Sequence, residues 1–327
     1  MQFVGDIRKL LQRRPLEGEA MERVWGAMLD DALDDIEVGA VIGALAAAGE
    51  TRDELMGLYR ATQERMSSWS PSVPARAVAI PAYGLTPGES LLAALATVLL
   101  RRFEIPVVVH GVLDSPCGIS AARILRELDV LPCASFAQAD ADLRAGGIAF
   151  IPAQLLSARF ASLIALRGRL GVENSAHLVA QALDPTRGAA TRLAFCVAGT
   201  RSERVDALAC ETRGEFVALS WPARRSPMNL STRPRIESIR EGARELLFEA
   251  DPQEMRAAVA LPPEDAQGIA RWIQRVASGF APVPVPAVNV IAACLYATGR
   301  AADLSEAKAI TAIGMNVKAV PDAAQSA

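Results

Sequence analysis

The chain has 327 residues, 51% of them hydrophobic, and a formal net charge of -3 at pH 7. That length supports one large domain plus one small one, the hydrophobic content excludes a disordered chain, and the acidic total excludes a protein that binds nucleic acid by bulk charge. Of 34 basic residues only Lys9, Lys308 and Lys318 are lysine, which fits either a GC-rich genome or a use for guanidinium forks on phosphate.

Residues 1–66 read as helices throughout. Phe3, Ile7, Leu10 and Leu11 recur at helical spacing, as do Met21, Val24, Trp25 and Met28. Ile36 to Ala48 is apolar nearly all round, and Thr51-Arg-Asp-Glu54 is a capping-box start for a fourth helix carrying Leu55, Leu58, Tyr59 and Met66. Acids outnumber bases here, 13 to 8, so this unit is not where an anion docks. Ser67 to Pro74 is a linker by its serine and proline content.

After the linker the pattern becomes strand and helix in alternation. Strands are predicted at Ala75–Ile80, Ile105–Val109, Ile148–Ile151, Leu193–Val197 and Phe216–Leu219. Helices are predicted at Ser90–Arg102, Cys117–Leu128, Ala137–Ala145, Ser157–Arg169 and Ser175–Leu183. Alternation of this kind means βαβ units and a parallel sheet. Residues 221–240 read as irregular, and three more helices follow at Pro263–Ser278, Ala287–Thr298 and Leu304–Ile313. The division is 1–70, helical, and 71–327, α/β, with the segment about 167–185 a candidate to pack with the helical domain.

Five cysteines (Cys117, Cys133, Cys196, Cys210, Cys294) are scattered without CxxC spacing, which points to reduced thiols rather than a zinc site or disulfide frame. The first residues lack a signal-peptide core, and no run reaches the roughly 18 apolar residues of a membrane span. The expectation is a cytoplasmic protein.

Two runs stand out. Val107-Val-Val-His110-Gly111 puts one of only two histidines where a buried strand ends, the side of a parallel sheet that faces a ligand crevice. Arg167-Gly-Arg169-Leu-Gly-Val-Glu173-Asn174-Ser-Ala-His177 holds the other, with two arginines able to grip a carboxylate or phosphate. A lone histidine at a strand end serves as a structural hydrogen-bonding group unless an acid–base partner is in reach.

Together with Asn289-Val-Ile-Ala-Ala-Cys-Leu-Tyr-Ala-Thr-Gly299, and with the order of helical unit, linker and α/β domain, these runs resemble the anthranilate phosphoribosyltransferase-like (TrpD-like, glycosyltransferase family 3) superfamily over roughly residues 1–315. Within it the chain is similar to the divergent YbiB-like branch, which binds DNA. The resemblance implies an α/β fold with a small N-terminal helical bundle and a mostly parallel central sheet, and a homodimer with Phe3, Ile7, Leu10 and Trp25 as candidate contacts. It also implies ligand-binding candidates His110, Gly111, Ser115, Arg167, Arg169, Asn174 and His177, with Arg167 matching an arginine that holds the acceptor carboxylate.

The departures from the working transferases are local. Their glycine-rich GTGGD loop is here Pro81-Ala-Tyr-Gly84-Leu-Thr-Pro-Gly88, whose two prolines donate no N–H to a pyrophosphate. Their KHGNR is here Val109-His110-Gly111-Val112-Leu113, with every charged or amide partner apolar. The adjacent Asp-Glu pair that holds magnesium has only Glu211 and Glu215 near its place. Glu173 and Gln181 stand where the DNA-binding branch favours positive charge.

Arginines gather instead between residues 192 and 240, nine against five acids, a local +4. Arg201, Arg204, Arg224, Arg225, Arg233 and Arg235 are the candidates for contact with single-stranded DNA or RNA; a solvated loop is the plain alternative. The sequence therefore favours a nucleic-acid-binding protein with degenerate transferase motifs and no confident catalytic residue. The alternative is a phosphoribosyl- or glycosyltransferase with altered substrates, and magnesium enters only with that activity.

Overall fold

The computed structural model describes residues 2–116, 118–197, 200–221, 230, 232–251 and 265–316. It opens with α1 (Val4–Leu11), α2 (Gly18–Leu29), α3 (Asp35–Ala48) and α4 (Arg52–Arg65). Capping boxes set two of the starts. Asp34 accepts from the Ile36 and Glu37 N–H groups while Glu37 accepts from the Asp34 N–H; Thr51 and Glu54 do the same for α4. α2 and α4 pack closely because Gly57 has no side chain: a Cβ there would stand 2.3 Å from the Gly18 carbonyl oxygen. Trp25, fully buried, donates its indole N–H to Thr62 Oγ1 at 2.9 Å, so its polar atom is satisfied inside the core.

The linker is pinned rather than loose. The Ser67 N–H donates to the Leu156 carbonyl, the Trp69 N–H to the Pro185 carbonyl, and the Trp69 ring stacks on Phe136 with centroids 5.5 Å apart. The α/β domain then runs β1 (Ala77–Ala82), α5 (Pro87–Arg102), β2 (Val107–Gly111), α6 (Ala121–Arg126), α7 (Phe136–Gly146), β3 (Ile148–Pro152), α8 (Ala153–Leu156), α9 (Ala158–Ala165), α10 (Arg167–Leu170) and α11 (Ser175–Val179). It continues with β4 (Ala190–Val197), α12 (Thr200–Glu211), β5 (Glu215–Trp221), β6 (Arg235–Arg240), β7 (Ala243–Phe248), α13 (Ala266–Ala277), α14 (Val285–Ala297) and α15 (Leu304–Asn316).

The sheet order is β3-β2-β1-β4-β5-β6-β7. β1 to β5 run parallel to one another; β6 pairs antiparallel with β5, and β7 antiparallel with β6. The chain winds outward from β1 to β3, then returns to lay β4 on the other side of β1. That reversal makes the carboxyl ends of β1 and β4 a topological switch point, where such sheets place ligands. Alternate strand residues feed two cores. Ala77, Ala79, Val108 and Ile151 pack toward the helical unit, while Val78, Ile80, Val107 and Val109 pack toward α5, α6, α13 and α14.

The segment between β3 and β4 lies against the helical unit. α11 packs on α3 and α4, Ser175 Oγ donates to Glu50 at 2.5 Å, and Arg159 donates to the Met28 carbonyl at 2.9 Å. One sequence expectation is corrected: residues 221–240 are not irregular throughout. β6 begins at Arg235 and forms a hairpin with β7 across Glu241 and Gly242, both at positive φ (48° and 81°), the backbone of a two-residue hairpin turn. The pairing is disguised because Glu237 and Ser238 are buried beside Ile236 and Ile239, so no clean alternation of polar and apolar residues marks the strand.

Candidate functional site

The switch-point crevice begins at the end of β1. Tyr83 leaves the strand fully buried, and Gly84 turns the chain at φ +61°. In the next turn Thr86 caps α5, accepting from the Glu89 N–H while Glu89 accepts from the Thr86 N–H. The start of α5 is thus held by its own side chains.

Three residues of the second distinctive run cover Gly84. A Cβ placed on it would stand 2.7 Å from His177 Cδ2, 3.0 Å from Arg167 Nη1 and 3.5 Å from Glu173 Oε1. Arg167 Nη1 is 2.5 Å from Glu173 Oε1, so its charge is met within the run. Asn174 orders the group. Its Oδ1 accepts from the Ala176 N–H, its Nδ2 donates to the Leu163 carbonyl at 2.7 Å, and His177 Nδ1 lies 3.2 Å from that same Oδ1. Asn174 and His177 are both buried. Arg169 does not join them: it is exposed and lines a separate cleft of about 470 Å³ with Asp35, Val38 and Leu166.

His110, at the end of β2, is buried, and its Nδ1 shares a 3.2 Å hydrogen bond with Tyr83 Oη, the two rings meeting edge to face. Burial pulls the imidazole down to about 3 and pushes the Tyr83 hydroxyl far above its ordinary range. The histidine is therefore neutral at physiological pH and faces a phenol that does not ionise, a pair with no proton to exchange near pH 7. Gly111 is required sterically, since a Cβ there would lie 2.3 Å from the Ala82 carbonyl oxygen. Ser115 sits in the following loop, bridging to Gly118 and half-buried.

Sequence reasoning missed two residues. Tyr83 is the first; the signal was an aromatic beside the turn glycine. Gln181, seen there only as an absent positive charge, is buried, accepting from the Phe195 N–H at 3.3 Å with its Nε2 3.5 Å from the Tyr83 carbonyl. It ties β1 to β4 across the switch point.

Metal and nucleophile chemistry find little support here. Among the described residues no three His, Cys, Asp or Glu side chains gather. Glu211 pairs with Arg52, and Glu215 pairs with Arg240 at 2.5 Å and Arg76 at 3.9 Å. These carboxylates do not fit a magnesium site. Burial pushes the Cys133 and Cys294 thiols up to about 12, away from the thiolate.

The arginine cluster is largely neutralised where it is described. Arg204 meets Glu50 at 2.9 Å; Arg235 meets Glu237 at 3.0 Å and Glu249 at 3.3 Å; Arg233 donates to the Glu249 carbonyl. Arg192 is buried, bonded to the carbonyls of Ala182 and Arg213, with its guanidinium 3.8 Å from the centre of the Phe216 ring. Arg224 and Arg225 lie outside the described residues; Arg201 belongs to α12, but its side chain lies outside them too. The formal +4 therefore overstates the charge this region offers.

Residues 7–66 match the family model "Glycosyl transferase family, helical bundle domain". The chain is 29% identical to the Escherichia coli (strain K12) protein YbiB over 92% of this chain and 97% of that one. It is 24% identical to the anthranilate phosphoribosyltransferase of Desulfosudis oleivorans over 94% and 92%. In three dimensions it matches the anthranilate phosphoribosyltransferase of Thermus thermophilus with a TM-score of 0.72 at 18% identity, covering 94% of each chain. It matches the Saccharomyces cerevisiae enzyme in complex with PRPP and Mg with 0.70 at 12%, covering 96% and 94%. The helical bundle and the mostly parallel seven-stranded sheet agree with these structures, and the chain is similar in sequence and fold to proteins of the TrpD-like kind.

Proposed function

We propose that this chain is a binding protein on a transferase frame, that its transferase motifs are degenerate, and that its ligand is single-stranded nucleic acid held mainly through phosphate. The observation that carries the reading is the closed turn at Gly84, over which Arg167, Glu173 and His177 are packed. A sugar diphosphate needs open backbone N–H groups at such a turn, and this one is covered by the chain's own side chains. The neutral His110–Tyr83 pair and the engaged carboxylates at Glu211 and Glu215 support the same conclusion. The abundance of arginine over lysine suits phosphate contact.

The test sets two titrations of the full chain side by side. A labelled single-stranded oligonucleotide should bind with an affinity that falls steeply with salt, as counterion release requires. Phosphoribosyl pyrophosphate with magnesium should give no heat. A salt-independent oligonucleotide response, or none, overturns the reading. Product from anthranilate, the pyrophosphate donor and magnesium would instead restore the phosphoribosyltransferase reading, favoured by the likeness to the yeast enzyme in complex with PRPP and Mg.

A homodimer belongs to the same proposal. Ile7, Leu10 and Trp25 are buried in the helical unit's own core, and Phe3 packs against it, which favours other residues as the contacts. Val4 and Leu11 of α1 and Ile36 of α3, which is 82% exposed, are left on the outer face of two helices that pack together and supply the apolar patch.

A further inference from the structure

The exposed side of α13 is rich in arginine and glutamine. Its buried stripe is Ile269, Ala270, Trp272, Ile273 and Val276. Its solvent stripe is Gln267, Arg271, Gln274 and Arg275, side chains rich in hydrogen-bond donors with no carboxylate among them. Arg204, Arg235, Arg240 and Arg244 each face an acid, but Arg271 and Arg275 have no such partner among the described residues. α13 packs on α6, whose own exposed residues include Arg123 and Arg126, likewise without an acid partner there. Among the described residues the nearby acids are few. Asp265 accepts from the Gly268 N–H at 2.7 Å as the helix cap, and Glu127 and Asp129 follow α6.

A second observation lies at the end of the same helix. Gly279 takes φ +75°; the Phe280 N–H donates to the Arg275 carbonyl at 2.8 Å and the Gly279 N–H to that of Val276 at 3.1 Å. This paired closure is a Schellman motif, which fixes the residue after the glycine. That residue is Phe280, and it is 78% exposed. The core does not use this ring, which edges a cleft with Val283, Val288, Ala312 and Met315, yet the backbone holds its base against the Arg275 carbonyl, with Arg271 one helical turn earlier.

We propose that the outer face of α13, with Arg123 and Arg126 of α6 beside it, is the surface on which a single-stranded nucleic acid lies, phosphates on the arginines and a base stacked on Phe280. The proposal rests on the reading of function above and places the contact away from the 192–240 arginines. Guanidiniums on a helix face with an exposed aromatic ring after its end suit sequence-tolerant binding of a single strand. A second copy of this chain fits poorly, because a two-fold contact would bring Arg271 and Arg275 against their own equivalents. An acidic peptide would satisfy the guanidiniums but leave the ring without a stacking partner.

The experiment is fluorescence anisotropy of a labelled oligothymidylate against the full chain over a range of salt. Wild type is compared with Arg271→Gln/Arg275→Gln, Arg123→Gln/Arg126→Gln, Phe280→Ala and a control, Arg13→Gln/Arg14→Gln, in the helical unit. All these residues are exposed, and circular dichroism verifies the fold. Each arginine pair should reduce the slope of log affinity against log salt by about 1.4, roughly 0.7 for each phosphate no longer neutralised. Phe280→Ala should weaken binding about fivefold to a hundredfold with the slope unchanged. The control should bind as wild type does. If wild type binds and the α6, α13 and Phe280 variants match it in affinity and slope, this surface is wrong while the function stands. If wild type fails to bind, both fall. Polyglutamate competing as well as unlabelled oligothymidylate would also overturn the proposal in favour of an acidic protein partner.

Discussion

His110 shows how one residue can keep its place and lose its chemistry. It stands near the carboxyl end of β2, beside the switch-point strand β1, and a strand end is where the sequence puts it, but among the described residues its ring is hydrogen-bonded to the Tyr83 hydroxyl. The position was legible because a histidine after three valines ends a buried strand; the partner was not, because it arrives from the neighbouring strand. Burial lowers the folded-state value to about 3, below the ordinary 6.5. Between those values the unfolded chain binds a proton that the folded chain refuses, so stability rises with pH through this window. His110→Gln should remove up to about 1.4 kcal/mol per pH unit of that dependence. Urea unfolding from pH 4 to 7 reads it; a variant with the wild-type slope would show that His110 is protonated in the fold.

At the scale of elements, the covering segment made of α10, α11 and the loop between them decides what the crevice can admit. Its hold on Gly84 runs through the Arg167–Glu173 pair. Glu173→Gln keeps the shape and removes the charge. Arg167 then becomes available to an anion, and inorganic pyrophosphate should bind the variant measurably more tightly than the wild type by calorimetry. Equal, absent binding in both would mean that packing, not charge, seals the turn. The sequence showed the run but not its target, since Arg167 and Gly84 meet only once β4 has returned beside β1. It also hid the β6–β7 hairpin, whose strand residues Glu237 and Ser238 are buried through contacts with Arg235, Arg244 and neighbouring strands. By contrast the N-terminal helices were readable almost residue by residue, because their caps and apolar periodicity act locally.

For the molecule as a whole, an acidic total of -3 coexists with an arginine-bearing face on α6 and α13, so the orientation of charge matters more than its sum. If two copies join through α1 and α3, each would carry such a face. Ile36→Asp places a carboxylate in the proposed contact and should shift the mass measured by light scattering from dimer to monomer. Unchanged mass would move the interface elsewhere. No helix among the described residues is long and apolar enough to cross a membrane.

Arg192 has a consequence for motion. From β4 it reaches the Ala182 carbonyl on one side and that of Arg213 on the other, above the face of Phe216. The stretch that roofs the crevice is thereby riveted at its root to the strands beneath. Access to Gly84 must come from swinging individual side chains such as Arg167 aside, since a hinged flap would first have to tear a desolvated cation from its oxygens.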